Sequence, residues 1–170
     1  MSVLGNKNAP LHKIYNAWII LLGVIIIISS IYIFSLLHNT SGIILFLFIV
    51  LLLYALGGCI IAGLFAVEET KELVTMQAKI HGISAVIGFL LLTLAPLLIG
   101  IYFIKISYIL LGILSLLCFI VTILFFVLFI LADKPKFNNS IINSEGLWQR
   151  LALLCMYIPV IILCGYGISL

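Results

Sequence analysis

The chain has 170 residues, of which 66% are hydrophobic and only 8% are charged, and its formal net charge is +3. Water-soluble domains are about half apolar and about a quarter charged, so this composition excludes a soluble globular domain. The few positive residues form no basic stripe, and no nucleic-acid partner is expected. Apolar runs of about 20 residues, long enough to cross the bilayer core, predict a polytopic α-helical membrane protein.

The chain is predicted to fold as one all-α transmembrane helical-bundle domain, residues 1–170, with five spans. Residues 1–13 are polar, and Tyr15 and Trp18 follow at the start of the first span, where amphipathic rings prefer the headgroup level. The tight connection at residues 38–42 returns the second span antiparallel beside the first. The predicted spans cover residues 14–37, 43–67, 80–104, 106–132 and 147–169.

Small residues gather in the last turns of the second span. Such residues let two membrane helices approach closely, so that dispersion contacts and interhelical hydrogen bonds hold them together. We therefore predict helix packing at this position, with a site that needs close backbone approach as the alternative. The residues concerned are Ala55, Gly58, Cys59, Ala62 and Gly63.

The segment between the second and third spans carries several charged residues. Among them Leu73, Met76 and Ile80 recur at helical spacing. This pattern predicts a short interfacial helix over residues 68–79 that leads into the third span.

Two prolines fall inside predicted spans. Proline removes a backbone donor and frees a carbonyl, so Pro96 predicts a kink in the third span and Pro159 an interruption of the fifth. Lys105 marks a very short turn between the third and fourth spans. Residues 133–146 form the only long polar loop.

Orientation is predicted from the distribution of lysine and arginine. With five alternating spans, seven of these residues fall on one face and only Lys105 falls on the other. By the positive-inside rule the seven-charge face is cytoplasmic. If the chain is complete, the N-terminus is inside and the C-terminus outside, in a bacterial-type cytoplasmic membrane. The seven residues are Lys7, Lys13, Lys71, Lys79, Lys134, Lys136 and Arg150.

Three motifs follow one another along the chain: GCIIAGLF, IHGISAVIGFLLLTLAPLL and EGLWQRL. Together they resemble the bacterial membrane family labelled domain of unknown function 998, and the resemblance covers nearly the whole chain. No reaction follows from it. Ala66 stands where the family often has proline, and Glu68 or Glu69 stands where it has aspartate. The matching residues are Phe65, His81, Gly146, Leu147 and Arg150.

The resemblance also bears on the number of spans. Family members usually have six spans, with a Ser-x-Leu-Gly element, a proline and an asparagine in the first loop. The resemblance therefore implies that a first helix is missing, and six spans would place His81 on the extracytoplasmic side, against the charge count. The residues that look like this element are Ser2, Leu4, Gly5, Pro10 and Asn16.

Polar residues at the edges of the spans are the candidates for a site. An unpaired charge in hydrocarbon costs at least about 2.5 kcal/mol, so such residues pair with one another or face the interior. We predict a cluster that either pins helix ends at headgroup level or holds a ligand or headgroup. Its members are Asn16, Glu68, Glu69, Glu72, Lys79, His81 and Arg150.

The favoured function is binding of a membrane lipid or another hydrophobic ligand, or an accessory role in a homo-oligomer or a larger membrane complex. Arg150 would pair with a lipid phosphate, and Lys79 would add charge at the same depth. The alternative is an interfacial metal-dependent enzyme in which Glu68, Glu69 and His81 hold a divalent ion, although the chain has no HExxH motif.

Other chemistries are less well supported. Haem binding would need two histidines facing each other within the spans, whereas His12, His38 and His81 lie near span ends, so no haem is expected. Ser84 belongs to no GxSxG motif, and helix packing is the better interpretation of it. A transporter would place polar groups near the midplane, often in inverted repeats, and neither is visible here.

Overall fold

The computed structural model describes residues 9–65, 75–132, 134 and 141–170 of the chain. These residues are helical, with short turns and no strand among them. Five helices in this part of the chain are long and apolar enough to cross a membrane: His12–Leu37, Ile43–Leu64, Met76–Lys105, Ile109–Ala132 and Glu145–Ile168. The predicted five-span helical membrane fold is confirmed, and the span ends differ from the predicted ones by about one helical turn at most.

The chain divides into two compact units. Unit 1 comprises residues 1–39 and 45–92, and unit 2 comprises residues 40–44 and 93–170. The prediction of a single domain over residues 1–170 stays a prediction.

Unit 1 contains the first two spans and the first part of the third. Helix α1 packs against the end of the second span, and Phe34 of α1 stacks on Phe48 with ring centroids 4.7 Å apart. The second span changes its helical form along its length, because a π-helix separates two α-helical parts. In order, the elements are α1 (His12–Leu37), α2 (Ile43–Tyr54), the π-helix (Ala55–Ile61), α3 (Ala62–Leu64) and α4 (Met76–Thr93).

Helix α4 begins at Met76 because Thr75 caps it. The backbone N–H of Ala78 donates to Oγ1 of Thr75 at 3.2 Å, which satisfies a donor that has no partner inside the helix. The first helical turn, Met76 to Lys79, is therefore part of the third span. This corrects the predicted start at residue 80 and the prediction of a separate interfacial helix through residue 79. Residues 68–74 of that predicted helix lie outside the described residues.

Unit 2 is built around a short helix whose inner face is buried. Helix α5 packs against both of the following long helices, which also pack against each other. Its Ile99, Tyr102 and Phe103 side chains are inaccessible to solvent. The elements of this unit are α5 (Ala95–Lys105), α6 (Ile109–Ala132), a single 3-10 turn (Ile141–Asn143) and α7 (Glu145–Ile168).

The two prolines inside the spans have different effects. Pro96 stands in the first turn of α5, and the helical run is interrupted just before it, at Leu94. Proline suits a first turn because the N–H that it lacks would have no helical partner there. Pro159 lies inside α7, which is continuous from Glu145 to Ile168. The predicted interruption at Pro159 is therefore wrong, and the local effect is the loss of one donor to the carbonyl of Cys155.

The turn between α5 and α6 ends α5 with a Schellman motif. The N–H of Tyr108 donates to the carbonyl of Phe103 at 2.9 Å, and the N–H of Ser107 donates to that of Ile104 at 3.1 Å. The motif places one residue in the left-handed region, usually a glycine. Ser107, with a φ of 67°, takes that place here. The turn therefore carries a steric cost at the Cβ of Ser107.

Replacing Ser107 by glycine should raise the free energy of unfolding by about 1 kcal/mol, because the steric cost disappears while both hydrogen bonds remain. Unfolding of the purified protein in detergent measures this. The matched control is Ser35→Gly, at an exposed position in the last turn of α1, where glycine should lower the free energy of unfolding by about 0.5 kcal/mol. A Ser107→Gly protein that is no more stable than the original would contradict the prediction.

Candidate functional site

The π-helix of the second span lies between α1 and α4 at very short distances. A Cβ atom on Gly88 of α4 would lie 2.6 Å from the backbone nitrogen of Gly58, closer than real Cβ atoms approach. On the other side, a Cβ atom on Gly23 of α1 would lie 2.9 Å from Cβ of Cys59 and 3.0 Å from the carbonyl oxygen of Ala55. The three helices of unit 1 therefore meet backbone to backbone around this segment.

The hydrogen bonding explains the form of the segment. The N–H of Ala62 donates to the carbonyl of Gly57, five residues earlier, and also to that of Cys59. A bond that reaches back five residues instead of four defines a π-turn, and single π-turns within α-helices are frequent at functional sites. Sequence analysis missed this feature because apolar periodicity does not distinguish a π-turn from an α-turn.

The second span ends at Phe65, whose backbone is extended, with φ −100° and ψ 125°. The last carbonyls of a helix have no partner inside it and need one from elsewhere. His81 of α4 supplies it, because its Nδ1 lies 2.8 Å from the carbonyl oxygen of Ala62 and 3.2 Å from that of Phe65. We call Ala62, Phe65 and His81 the His81 cap.

The His81 cap fixes the tautomer of the ring. A carbonyl oxygen only accepts, so Nδ1 must carry the hydrogen, and the lone pair of the neutral ring is then on Nε2. The ring is half-buried. Nδ1 of His81 thus joins α4 to the end of the second span.

Two more residues of the predicted cluster lie in unit 1. Lys79, two residues before His81, is exposed, and Asn16 of α1 is half-buried. A Cβ atom on Gly63 would lie 3.1 Å from the carbonyl oxygen of Asn16, so the end of the second span rests against α1 at Asn16. Asn16 and the His81 cap are therefore at the same end of unit 1.

The remaining members of the predicted cluster are three glutamates and Arg150. Glu68, Glu69 and Glu72 lie outside the described residues. Arg150 belongs to unit 2, where it is exposed on α7. The association of Arg150 with His81 and the glutamates stays a prediction.

The residues predicted to pack at the end of the second span are mostly inaccessible. Ala55, Cys59, Ala62 and Gly63 are buried, and Gly58 is half-buried against Gly88. Gly58 lies against the ring of Tyr54 and the backbone of Gly88, and Gly63 lies against Ile20 and the carbonyl of Asn16. The contacts are those of close helix packing, and a site that needs this close backbone approach stays a prediction.

The start of α7 carries a second group of candidate residues. Nε1 of Trp148 donates to the carbonyl of Ile142 at 2.9 Å, and the Trp148 ring stacks on Phe125 with centroids 6.0 Å apart. These contacts fix the position of Trp148 at the start of α7. Arg150 follows in the next half turn, on the exposed side.

The metal-site alternative is not tested. Among residues 9–65, 75–132, 134 and 141–170, no three or more His, Cys, Asp or Glu side chains form a group that could hold a metal ion. Glu68 and Glu69, which would complete the set with His81, lie outside those ranges.

A third polar group, in unit 2, was not recognised from the sequence. Oγ1 of Thr40 donates to the buried hydroxyl of Tyr102 at 3.3 Å, and Nζ of Lys105 donates to Oγ of Ser41 at 3.3 Å. The pairs are separated by 62 and 64 positions in the chain, so no local pattern indicates them.

The family model described as "Protein of unknown function (DUF998)" matches residues 1–166. No curated protein and no solved structure matches the chain. The matched range includes both spans that form the His81 cap and the start of α7 with Arg150. This polytopic helical membrane protein belongs to the DUF998 family.

Proposed function

We propose that the protein binds a membrane lipid or another hydrophobic ligand, and that the His81 cap with Lys79 receives the polar part of that ligand. One observation carries the proposal: Nδ1 of His81 is occupied by the carbonyls of Ala62 and Phe65, which leaves Nε2 as the nitrogen directed elsewhere. The cap also ends a helix with a π-turn, a distortion that is frequent at functional sites.

The surroundings of the cap suit such a ligand. Lys79 is exposed in the first turn of α4, at the same end of this helix as His81, and Lys13 is exposed near the start of α1. Cations at headgroup depth attract anionic lipids. Along the second span, Leu53 and Leu56 expose 46% and 45% of their surface, which provides apolar area for an acyl chain beside the polar end.

Arg150 is proposed to contribute a separate contact to a lipid phosphate, because an arginine fork binds phosphate through two parallel hydrogen bonds. Replacing Arg150 by alanine should reduce the anionic lipid retained during purification about tenfold, since a hydrogen bond to a charged group contributes about 1.5 kcal/mol or more. Mass spectrometry of the lipids that copurify in mild detergent measures the loss.

The control for that experiment is Lys134→Ala, which removes an exposed cation from the turn that follows α6. It should leave most of the lipid in place. Unchanged lipid content in the Arg150→Ala protein would reject the role of Arg150. The copurified lipids of the original protein and of Lys79→Ala can be compared in the same way. This comparison tests Lys79 independently of Arg150.

A metal-dependent enzyme at the membrane surface is the second candidate. It is favoured by the same hydrogen bonds, because metal-ligating histidines almost always donate their other ring N–H to a carbonyl or carboxylate. His81 has this arrangement, and Glu68 and Glu69 would supply the oxygen ligands. Elemental analysis of the purified protein separates the two candidates: a stoichiometric divalent metal that disappears in His81→Ala supports the enzyme.

For localisation we propose the cytoplasmic membrane, with the N-terminus and the His81 cap on the cytoplasmic side. The support is the excess of lysine and arginine on that face, with Lys105 alone on the other. Labelling of single introduced cysteines from either side of sealed vesicles tests this orientation. Membrane lipids are the proposed partners, and a homo-oligomer or a larger membrane complex is a further proposal that the molecular mass in detergent would test.

A further inference from the structure

Unit 2 holds Lys105 in a defined position at the end of α5. Oγ1 of Thr40 donates to the hydroxyl of Tyr102, whose side chain is fully buried. This bond attaches the segment at residues 40–41 to α5, and Nζ of Lys105 then donates to Oγ of Ser41 at 3.3 Å. Ser41 is 6% exposed. The ammonium group of Lys105 is therefore positioned by a buried side chain.

Around the Ser41 hydroxyl, hydrogen-bond donors outnumber acceptors. Oγ of Ser41 accepts from Lys105 and also from the backbone N–H of Ile43 at 3.3 Å. Both of its partners are donors, so the hydrogen of the Ser41 hydroxyl is left for an acceptor. The Lys105 ammonium has three N–H groups and uses one of them on Ser41. A group with several acceptor oxygens would accept hydrogen bonds from these remaining N–H and O–H donors.

Among the described residues, no acidic side chain lies beside the positive charge of Lys105. Glu145 is the acidic residue that the structure describes, and it begins α7. Tyr166, which packs against Tyr108 in the turn after Lys105, lies near the other end of that helix, about 30 Å away. In the part of the chain that the structure describes, the charge of Lys105 is therefore left for an anionic ligand.

Aromatic rings beside Lys105 indicate the depth of this group. Phe103, Tyr108 and Tyr166 pack edge to face, with centroids 5.2 Å apart for the two tyrosines and 5.5 Å apart for Phe103 and Tyr166. Tyr108 is 49% exposed. Tyrosines of this kind are enriched at the membrane–water interface, where lipid phosphates lie.

We propose that Lys105 and Ser41, together with the turn to Tyr108, bind the phosphate of an anionic phospholipid. The ammonium group supplies the charge, the Ser41 hydroxyl supplies a second donor, and the aromatic rings hold the turn at phosphate depth. This proposal uses none of the residues of the His81 cap and does not depend on the proposed function.

The test uses the full-length protein in detergent, titrated with phosphatidylglycerol, with bound lipid counted by native mass spectrometry. Lys105→Gln should weaken binding of one lipid molecule about tenfold, the value expected for loss of one charge-assisted hydrogen bond. Lys105→Arg keeps the charge and should retain that lipid. Lys105 is exposed, so both variants should fold, and equal unfolding temperatures would establish this.

Three results would overturn the proposal: Lys105→Gln binds phosphatidylglycerol as the original protein does, phosphatidylcholine binds as tightly, or inorganic phosphate displaces the lipid at the same concentration. Lys13→Gln, which removes an exposed cation from α1, is the matched control and should leave this lipid bound. The site at the His81 cap is tested by different variants, because Lys79→Ala and Arg150→Ala should leave the Lys105 lipid in place.

Discussion

Replacing Gly88 by alanine is expected to lower the free energy of unfolding by about 1–3 kcal/mol, the usual cost of overpacking a well-packed interior. The new Cβ atom would lie 2.6 Å from the backbone nitrogen and 2.8 Å from the Cα of Gly58. Backbone atoms of a membrane helix cannot rotate away as a flexible side chain would. Helix α4 and the π-helix would have to separate, and their dispersion contacts would weaken.

Unfolding of the purified variant in mixed detergent micelles measures this effect. Gly165→Ala is the control, because a Cβ atom on Gly165 would meet nothing within 4 Å. Alanine is favoured over glycine by about 1 kcal/mol in a helix interior, so the control should be slightly stabilised. A Gly88→Ala protein as stable as Gly165→Ala would show that the close approach at Gly58 does not exist.

Replacing His81 by alanine is expected to lower the free energy of unfolding by about 1–3 kcal/mol, because the carbonyls of Ala62 and Phe65 lose their donor in an apolar environment. His38→Ala is the matched control. Nδ1 of His38 bonds only to the carbonyl of Phe34 within its own helix, and the residue is exposed, so little change is expected. Unfolding in detergent compares the two variants.

Two further substitutions separate the cap from ligand binding at His81. The amide nitrogen of asparagine reaches the position of Nδ1, whereas that of glutamine reaches the position of Nε2. His81→Asn should therefore keep most of the stability and lose the ligand, and His81→Gln should lose stability. If the ligand is retained in His81→Asn, Nε2 has no part in binding and the proposed function fails while the cap stands.

The spans could be predicted from sequence because a helix that crosses the bilayer needs about 20 apolar residues, and its backbone groups must form hydrogen bonds within the helix. Their ends were harder to place. Thr75 caps α4 by a pattern that sequence can contain, an N-cap threonine before the first helical turn. The apolar spacing of Met76 and Ile80 instead suggested an interfacial helix over residues 68–79, so Thr75 was not recognised as the cap of the third span.

The contacts at the two sites could not be predicted from the sequence, for two physical reasons. His81 could be singled out as a histidine near a span end, but the groups that it bonds are carbonyls of Ala62 and Phe65, and every residue has a carbonyl. The pairing of Ser41 with Lys105 depends on how helices 64 residues apart come together, and that is decided by packing. Pro159 was misjudged because neighbouring helices can stabilise a helix that has lost one hydrogen bond.

The π-helix at Ala55–Ile61 changes the direction in which the side chains of the second span point. One inserted residue turns everything before it by about 100° relative to everything after it. Leu47 and Leu51, before the insertion, and Cys59 and Ala62, at or after it, are all buried in this arrangement. The side chains that follow the π-helix therefore point in directions that differ by this angle from those of an uninterrupted α-helix, and this single irregularity sets which of them face α1 and α4.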